Sequence, residues 1–191
     1  EEVLEAPRCR DFSKADFEDQ RKSVESFRKE LPRVQRALAN IPVYMIFDDH
    51  EITDDWNVSF AWQKEAHKEP LSRRIICNGL LAYWGFQAWG NDPDRFDAKF
   101  IAALSASLDS KEREPADFED LLLKFEHWTF VTPPHPRTIF LDARTQREFD
   151  TKDGPPRLLS RSGVLNLAKL IRDVSAAGAP VYIVAGAPLF G

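Results

Sequence analysis

The sequence predicts an α/β fold with helices packed on a sheet. Two kinds of segment carry that reading. Amphipathic stretches, with apolar residues at three-, four- and seven-residue spacings, occupy residues 12–40, 60–90 and 162–177. Short, continuously apolar runs rich in branched and aromatic side chains stand between and after them, at Val43–Phe47, within 125–132, at 137–141 and at 181–186. The order is therefore helix, strand, several helices, two strands, helix, strand.

The first helix carries Phe17, Val24, Phe27, Leu31, Val34 and Leu38 as a stripe on a charged rod. Pro32 lacks an amide donor and predicts a break or kink near Leu31. Asn40 is the stop. Val43 to Phe47 reads as a strand buried on both faces. Residues 60–90 return to helical spacing through Leu71, Ile75, Leu80, Tyr83 and Trp84, and Asn91-Asp92-Pro93-Asp94 is a turn signal. Residues 97–107 predict another helix. The runs "FEHWTFVT" (125–132) and "RTIFL" (137–141) flank Pro133-Pro134-His135-Pro136 and predict a hairpin. A helix follows, capped by Ser160 or Ser162 and stopped by Gly178, and "VYIVAG" reads as a buried strand.

With 43% hydrophobic residues, 14 Phe and 5 Trp, the 191-residue chain has ample material for a core. Its net charge of −5 excludes a broad electrostatic grip on nucleic acid. Cys9 and Cys77 make no disulfide framework and no zinc-ligand spacing. No apolar run reaches the ~18 residues of a membrane span, and the acidic start is not a signal peptide.

The chemistry-bearing stretch is "IFDDHEITDDWN", residues 46–57. Asp48, Asp49, His50, Glu51, Asp54 and Asp55 crowd the end of the apolar run at Phe47. Loops just beyond strand ends are where reactive groups collect in α/β sheets. Carboxylate oxygens and imidazole nitrogens are ligands for hard and borderline cations. The residue types therefore point to a metal-assisted hydrolytic site. Asp54 and Asp55 read equally well as turn formers or caps. His67 reads as a solvated helix residue, His127 as a packed strand residue and His135 as an exposed turn residue. Tyr83, Trp84, Phe86 and Trp89 read as core, and Cys77 as a small buried hydrophobe.

"IPVYMIFDDHEITDDWN" (41–57) closely resembles the central signature of the alkaline phosphatase D-like (PhoD-like) metallophosphoesterases, relatives of the calcineurin-like phosphoesterases. "TIFLDARTQREF" (138–149) is similar to a strand of that family ending in Leu-Asp-x-Arg, and "VYIVAGAPLFG" (181–191) to a later strand with a Pro-containing loop. The resemblance implies the central part of an α-β-β-α sandwich with additional helices. It implies two divalent or trivalent metal ions (Ca, Fe, Mn or Zn are all compatible) and a small phosphorylated substrate, monoester or diester. By the same resemblance Asp49 is a metal ligand with Asp48 beside it, and His50 is the catalytic group that contacts the phosphate or protonates the leaving oxygen. Glu51 supports the loop, and Arg144 either binds substrate or pairs with an acid such as Asp142.

The family's flanking ligand motifs, of the Gly-Asp-x-x-Tyr-x-x-Asp and Gly-Asp-x-His types, do not occur in these residues. Residues 1–191 are therefore expected to be one incomplete domain of a larger phosphatase. Alone it should be inactive, bind divalent metal weakly or not at all, and self-associate or be poorly soluble through surfaces left uncovered. The competing expectation is a non-catalytic interaction or regulatory module that keeps the phosphoesterase fold.

Overall fold

A computed structural model describes residues 13–109, 116–175 and 179–188. The acidic N-terminus, Cys9, the polar run 110–115, the Gly178 stop and the last residues of the terminal strand-and-loop motif lie outside them. The described residues are mixed α/β, mostly helical, with one three-stranded sheet. They divide into two compact units, one ending at Val43 and one starting at Tyr44.

The first unit is built on one helix, α1 (Lys14–Leu38). Ser13 caps it: the Asp16 amide donates to Ser13 Oγ at 3.1 Å, and the Ser13 amide donates to the Asp16 carboxylate at 3.0 Å. This reciprocal pair satisfies two otherwise orphaned donors. The expected break at Pro32 is absent, and the helix runs through it. A proline removes a single amide from the ladder. Strong helix formers flank it, and the i, i+3 and i, i+4 pairs Arg21–Glu18, Arg21–Glu25 and Arg33–Glu30 stand along the same helix.

The second unit begins with an extended segment that is not a strand, contrary to the sequence expectation for Val43–Phe47. The physical reason is visible at Met45. Its carbonyl accepts from Tyr83 Oη at 3.0 Å and from Asn91 Nδ2 at 2.8 Å. Side chains satisfy this backbone where a neighbouring strand would otherwise have done so. Of the run, only Phe47 is buried.

The helical stretch after residue 60 is two helices. α2 (Phe60–Lys68) starts at the Ser59 cap, and α3 (Pro70–Tyr83) starts at Pro70. Proline at a first helical position gives up an amide that would be unpaired anyway, and it holds the preceding Glu69 extended. α3 continues through one wide turn, Trp84–Ala88, into a short α4 (Trp89–Asn91). Tyr83 and Trp84 are core, as expected, but Phe86 is 89% exposed and Trp89 is also exposed. The wide turn shifts the helical phase and sends them outward. His67 is half-buried, not solvated; His127 is exposed and outside any strand, although its ring meets Phe125 edge-on at 5.6 Å.

α5 (Ala98–Asp109) and α6 (Ala116–Leu123) close the helical layer. An aromatic core joins it to the loop of interest. Phe47 meets Tyr83 edge-on at 4.8 Å between ring centres, Trp56 at 5.4 Å and Trp128 at 5.9 Å. Large aromatic burial of this kind fixes the backbone on both sides of residues 48–55.

The hairpin forms as expected, with a shorter first strand: β1 (Phe130–Val131) pairs antiparallel with β2 (Thr138–Leu141). Stacked Phe130 and Phe140, 4.8 Å apart, hold the register. α7 (Arg161–Val174) is capped by Ser160, whose Oγ accepts the Gly163 amide at 3.0 Å. It leads toward β3 (Tyr182–Ala185), which pairs parallel with β2. The sheet order β1-β2-β3 leaves β3 on an edge. β3 is not the buried strand expected: Tyr182 is 56% exposed, and Ile183 and Val184 are exposed too. Among the described residues no helix is long and apolar enough to cross a membrane.

Candidate metal centre

Three separated segments build the site: the acidic loop, the turn after β2 and the end of β3. The acidic loop is held by its own carboxylates. Glu51 accepts the Asp48 amide at 2.7 Å, the supporting role expected of it. Asp48 Oδ1 accepts the Asp49 amide at 2.8 Å, and Asp49 Oδ2 accepts the Asp55 amide at 3.2 Å. Asp55 and Asn57 adopt positive φ, 62° and 56°. Asp and Asn tolerate that conformation better than other side-chain-bearing residues. Asp55 thus makes the turn, and its side chain is exposed.

The turn after β2 is built on Asp142, which is fully buried. Its carboxylate accepts the amides of Arg144 and Thr145, each at 2.9 Å, and the Thr145 hydroxyl. Burial pushes its pKa up, against the lowering effect of these bonds. Asp142 therefore shapes the backbone around Arg144 and is not the guanidinium's ion-pair partner.

That backbone clamps the acidic loop from below. Asn57 Nδ2 donates to the Arg144 carbonyl at 3.2 Å, Arg147 Nη1 donates to the Asn57 carbonyl at 3.2 Å, and Arg144 Nη1 donates to the Trp56 carbonyl at 3.4 Å. Arg144 Nη2 then reaches both acids, 2.6 Å from Asp48 Oδ1 and 3.0 Å from Asp49 Oδ1. It also donates to the Gly186 carbonyl at 3.3 Å. The Arg144 side chain is 8% exposed, and its Nε has no hydrogen-bond partner. Gly186 at the end of β3 approaches so closely that a Cβ there would lie 3.1 Å from both Asp48 Oδ1 and the Phe47 carbonyl.

His50 stands over the acids on the solvent side, 72% exposed. Its Nδ1 is 3.4 Å from Asp49 Oδ1 and 3.6 Å from Asp48 Oδ2, and its Nε2 is 3.6 Å from Asp54 Oδ1. One donor atom each from Asp48, Asp49 and His50 falls within 4.8 Å of the others. Two donors about 2.1 Å from one ion stand ~3.0 Å apart at right angles and ~3.4 Å apart at the tetrahedral angle. The His50 Nδ1 spacings of 3.4 and 3.6 Å to Asp49 and Asp48 lie near the tetrahedral value, while the 4.8 Å bound on the whole set is wider than one ion would hold its donors. For Asp48, burial raises the carboxyl pKa, but the Asp49 amide and the Arg144 guanidinium outweigh it and hold the group below its usual range. The carboxylate form that a cation needs is the form favoured here.

Of the residues singled out in the sequence, Asp48, Asp49, His50 and Arg144 come together, and Asp54 stands at the rim. The structure adds Trp56, Asn57, Asp142 as a turn builder and Gly186. Asn57 ends the polar run and Asp142 lies in the Leu-Asp-x-Arg motif, whereas the parts of Trp56 and Gly186 emerge only in the tertiary fold.

Comparisons with models of protein families, with curated proteins and with solved structures return no match to this chain.

Proposed function

We propose that these residues carry the central part of a metal-dependent phosphoester-hydrolysing site of the PhoD-like kind, within the α-β-β-α architecture that the sequence resemblance implies. The observation that supports the reading most directly is the convergence of Asp48, Asp49 and His50 donor atoms within 4.8 Å on a loop anchored by buried Phe47 and Trp56. Asp48 and Asp49 would hold the ion, and a bound cation of this class acidifies its water and polarises a phosphoryl oxygen. His50 is the most exposed of the three. It lies where a phosphoester would approach, and its imidazole is suited to give a proton to a leaving oxygen. The anchored loop keeps these groups in place before substrate arrives.

Three protein donors suit one cation with open positions for water. They do not supply a two-ion site, and the second set of ligands is assigned to parts of the domain outside these residues. The test is hydrolysis of an aryl phosphate monoester and diester by the full natural chain containing these residues, with Mn²⁺, Ca²⁺, Zn²⁺ or Fe³⁺ supplied. Activity that requires metal and falls in Asp49→Ala and His50→Ala supports the reading. Metal-independent activity, or equal rates in wild type and both variants, rejects it.

A further inference from the structure

Resting on the metal-site reading, the geometry points to Arg144 as a built-in counter-cation that sets the metal affinity of the Asp48–Asp49 pair, and not as a contact for substrate. The guanidinium lies in the protein interior, 8% exposed, with Nη2 shared between Asp48 Oδ1 and Asp49 Oδ1. Its remaining contacts are the Trp56 and Gly186 carbonyls. Its Nε is unpartnered but buried, so no donor of the group is turned to an incoming phosphate. The guanidinium already neutralises much of the charge that would attract a cation, and it sits where water screens poorly.

The two carboxylates do not depend on Arg144 for their orientation. The Asp49 amide holds Asp48 Oδ1, and the Asp55 amide holds Asp49 Oδ2. Asp48 Oδ2 is turned to His50, on the other oxygen from the one Arg144 takes. Asp49 presents to His50 the same Oδ1 that Arg144 takes. A cation bound on the His50 side would therefore meet Asp48 through its other oxygen and share Asp49 Oδ1 with Arg144, with a positive charge behind both. Removing that charge should tighten binding, not scatter the ligands. Keeping the charge with a lysine should leave binding weak.

The test is Mn²⁺ binding by this chain, read from the free-ion signal in electron paramagnetic resonance, for wild type, Arg144→Gln, Arg144→Lys and Asp49→Asn. The expected result is binding about tenfold tighter or more in Arg144→Gln, affinity near wild type in Arg144→Lys, and loss of affinity in Asp49→Asn. Arg144→Gln should also show a larger rise in Tm on adding Mn²⁺ than wild type. Wild-type binding that Asp49→Asn removes, with Arg144→Gln binding no tighter or Arg144→Lys as tight as Arg144→Gln, overturns the inference and leaves the metal-site reading standing. Folded wild type and Arg144→Gln that both fail to bind overturn the inference, and hydrolysis by the full natural chain then decides the metal-site reading by itself. Should Arg144→Gln fold only with Mn²⁺ present, the ion has taken over the counter-charge and the inference is supported. If it stays unfolded at saturating Mn²⁺, the inference fails.

Discussion

Arg144 Nη2 lies 2.6 Å from Asp48 Oδ1, across 96 residues of sequence. This ion pair joins the turn after β2 to the acidic loop, with one partner buried and the other half-exposed. A fully exposed pair contributes ~0–1 kcal/mol, and breaking a fully buried one costs ~3–5 kcal/mol. The intermediate setting predicts that Arg144→Gln lowers metal-free stability by about 2–3 kcal/mol. A double-mutant cycle with Asp48→Asn, followed by urea denaturation, should show a coupling of about 1–2 kcal/mol. A coupling near zero would show that the pair contributes nothing to stability.

Gly186 should tolerate no side chain. A Cβ there would sit 3.1 Å from the Phe47 carbonyl and 3.2 Å from Asp48 Cα, both backbone atoms that cannot swing away. Gly186→Ala is expected to destabilise the second unit by about 1–3 kcal/mol through overpacking. It should also weaken Mn²⁺ binding by displacing Asp48. Thermal unfolding and metal titration of the same variant check both.

Under the proposed function, Asp49→Ala or His50→Ala in the full natural chain should leave the fold largely intact. Each should reduce metal-supported phosphoester hydrolysis by roughly 10²–10⁴, the usual range for losing one catalytic group. Circular dichroism beside the aryl-phosphate assay separates loss of chemistry from loss of fold.

His67 gives a pH dependence outside the site. Burial, helped by the charge of Arg73, lowers its pKa below the usual value of 6.5. The unfolded chain then binds a proton more readily than the folded one as pH falls through the mid-sixes. Stability is full above that range and declines below it. His67→Gln should flatten this part of the stability–pH curve, measured by urea unfolding between neutral and mildly acidic pH. An unchanged curve would show that other groups govern it.

Cys77 is buried among α3 and α6, and burial together with the Glu119 charge pushes its thiol pKa up to about 12. A thiol so poised has little thiolate at about pH 8, where free cysteine is already partly ionised. In a Cys9→Ser background, the native chain should resist Ellman's reagent at that pH and react fully once denatured. Rapid native labelling would place Cys77 at the surface.

Local chemistry decided much of this chain by itself. Ser13 and Ser160 caps, the Pro70 helix start, the turn at Asn91–Asp94 and the hairpin around residues 133–136 follow from dihedral limits and short-range hydrogen bonds, which a sequence states directly. The hairpin and the helix capped by Ser160 follow on those grounds. The Pro70 division follows from the same rules, although the apolar spacing runs straight across it. The clustering of Asp48, Asp49 and His50 was legible because all three lie on one short loop. Tertiary structure alone decided the rest. An apolar run such as Val43–Phe47 does not say whether its carbonyls meet a strand or the side chains of Tyr83 and Asn91. The exposure of β3 depends on which surfaces pack against it, and no local pattern records that. Above all, Arg144 meets Asp48 only because Asp142 builds its turn, Asn57 and Arg147 clamp the two loops, and Gly186 permits close approach. Those contacts span tens of residues, and their geometry is set by burial and chain path, which spacing along the sequence does not encode.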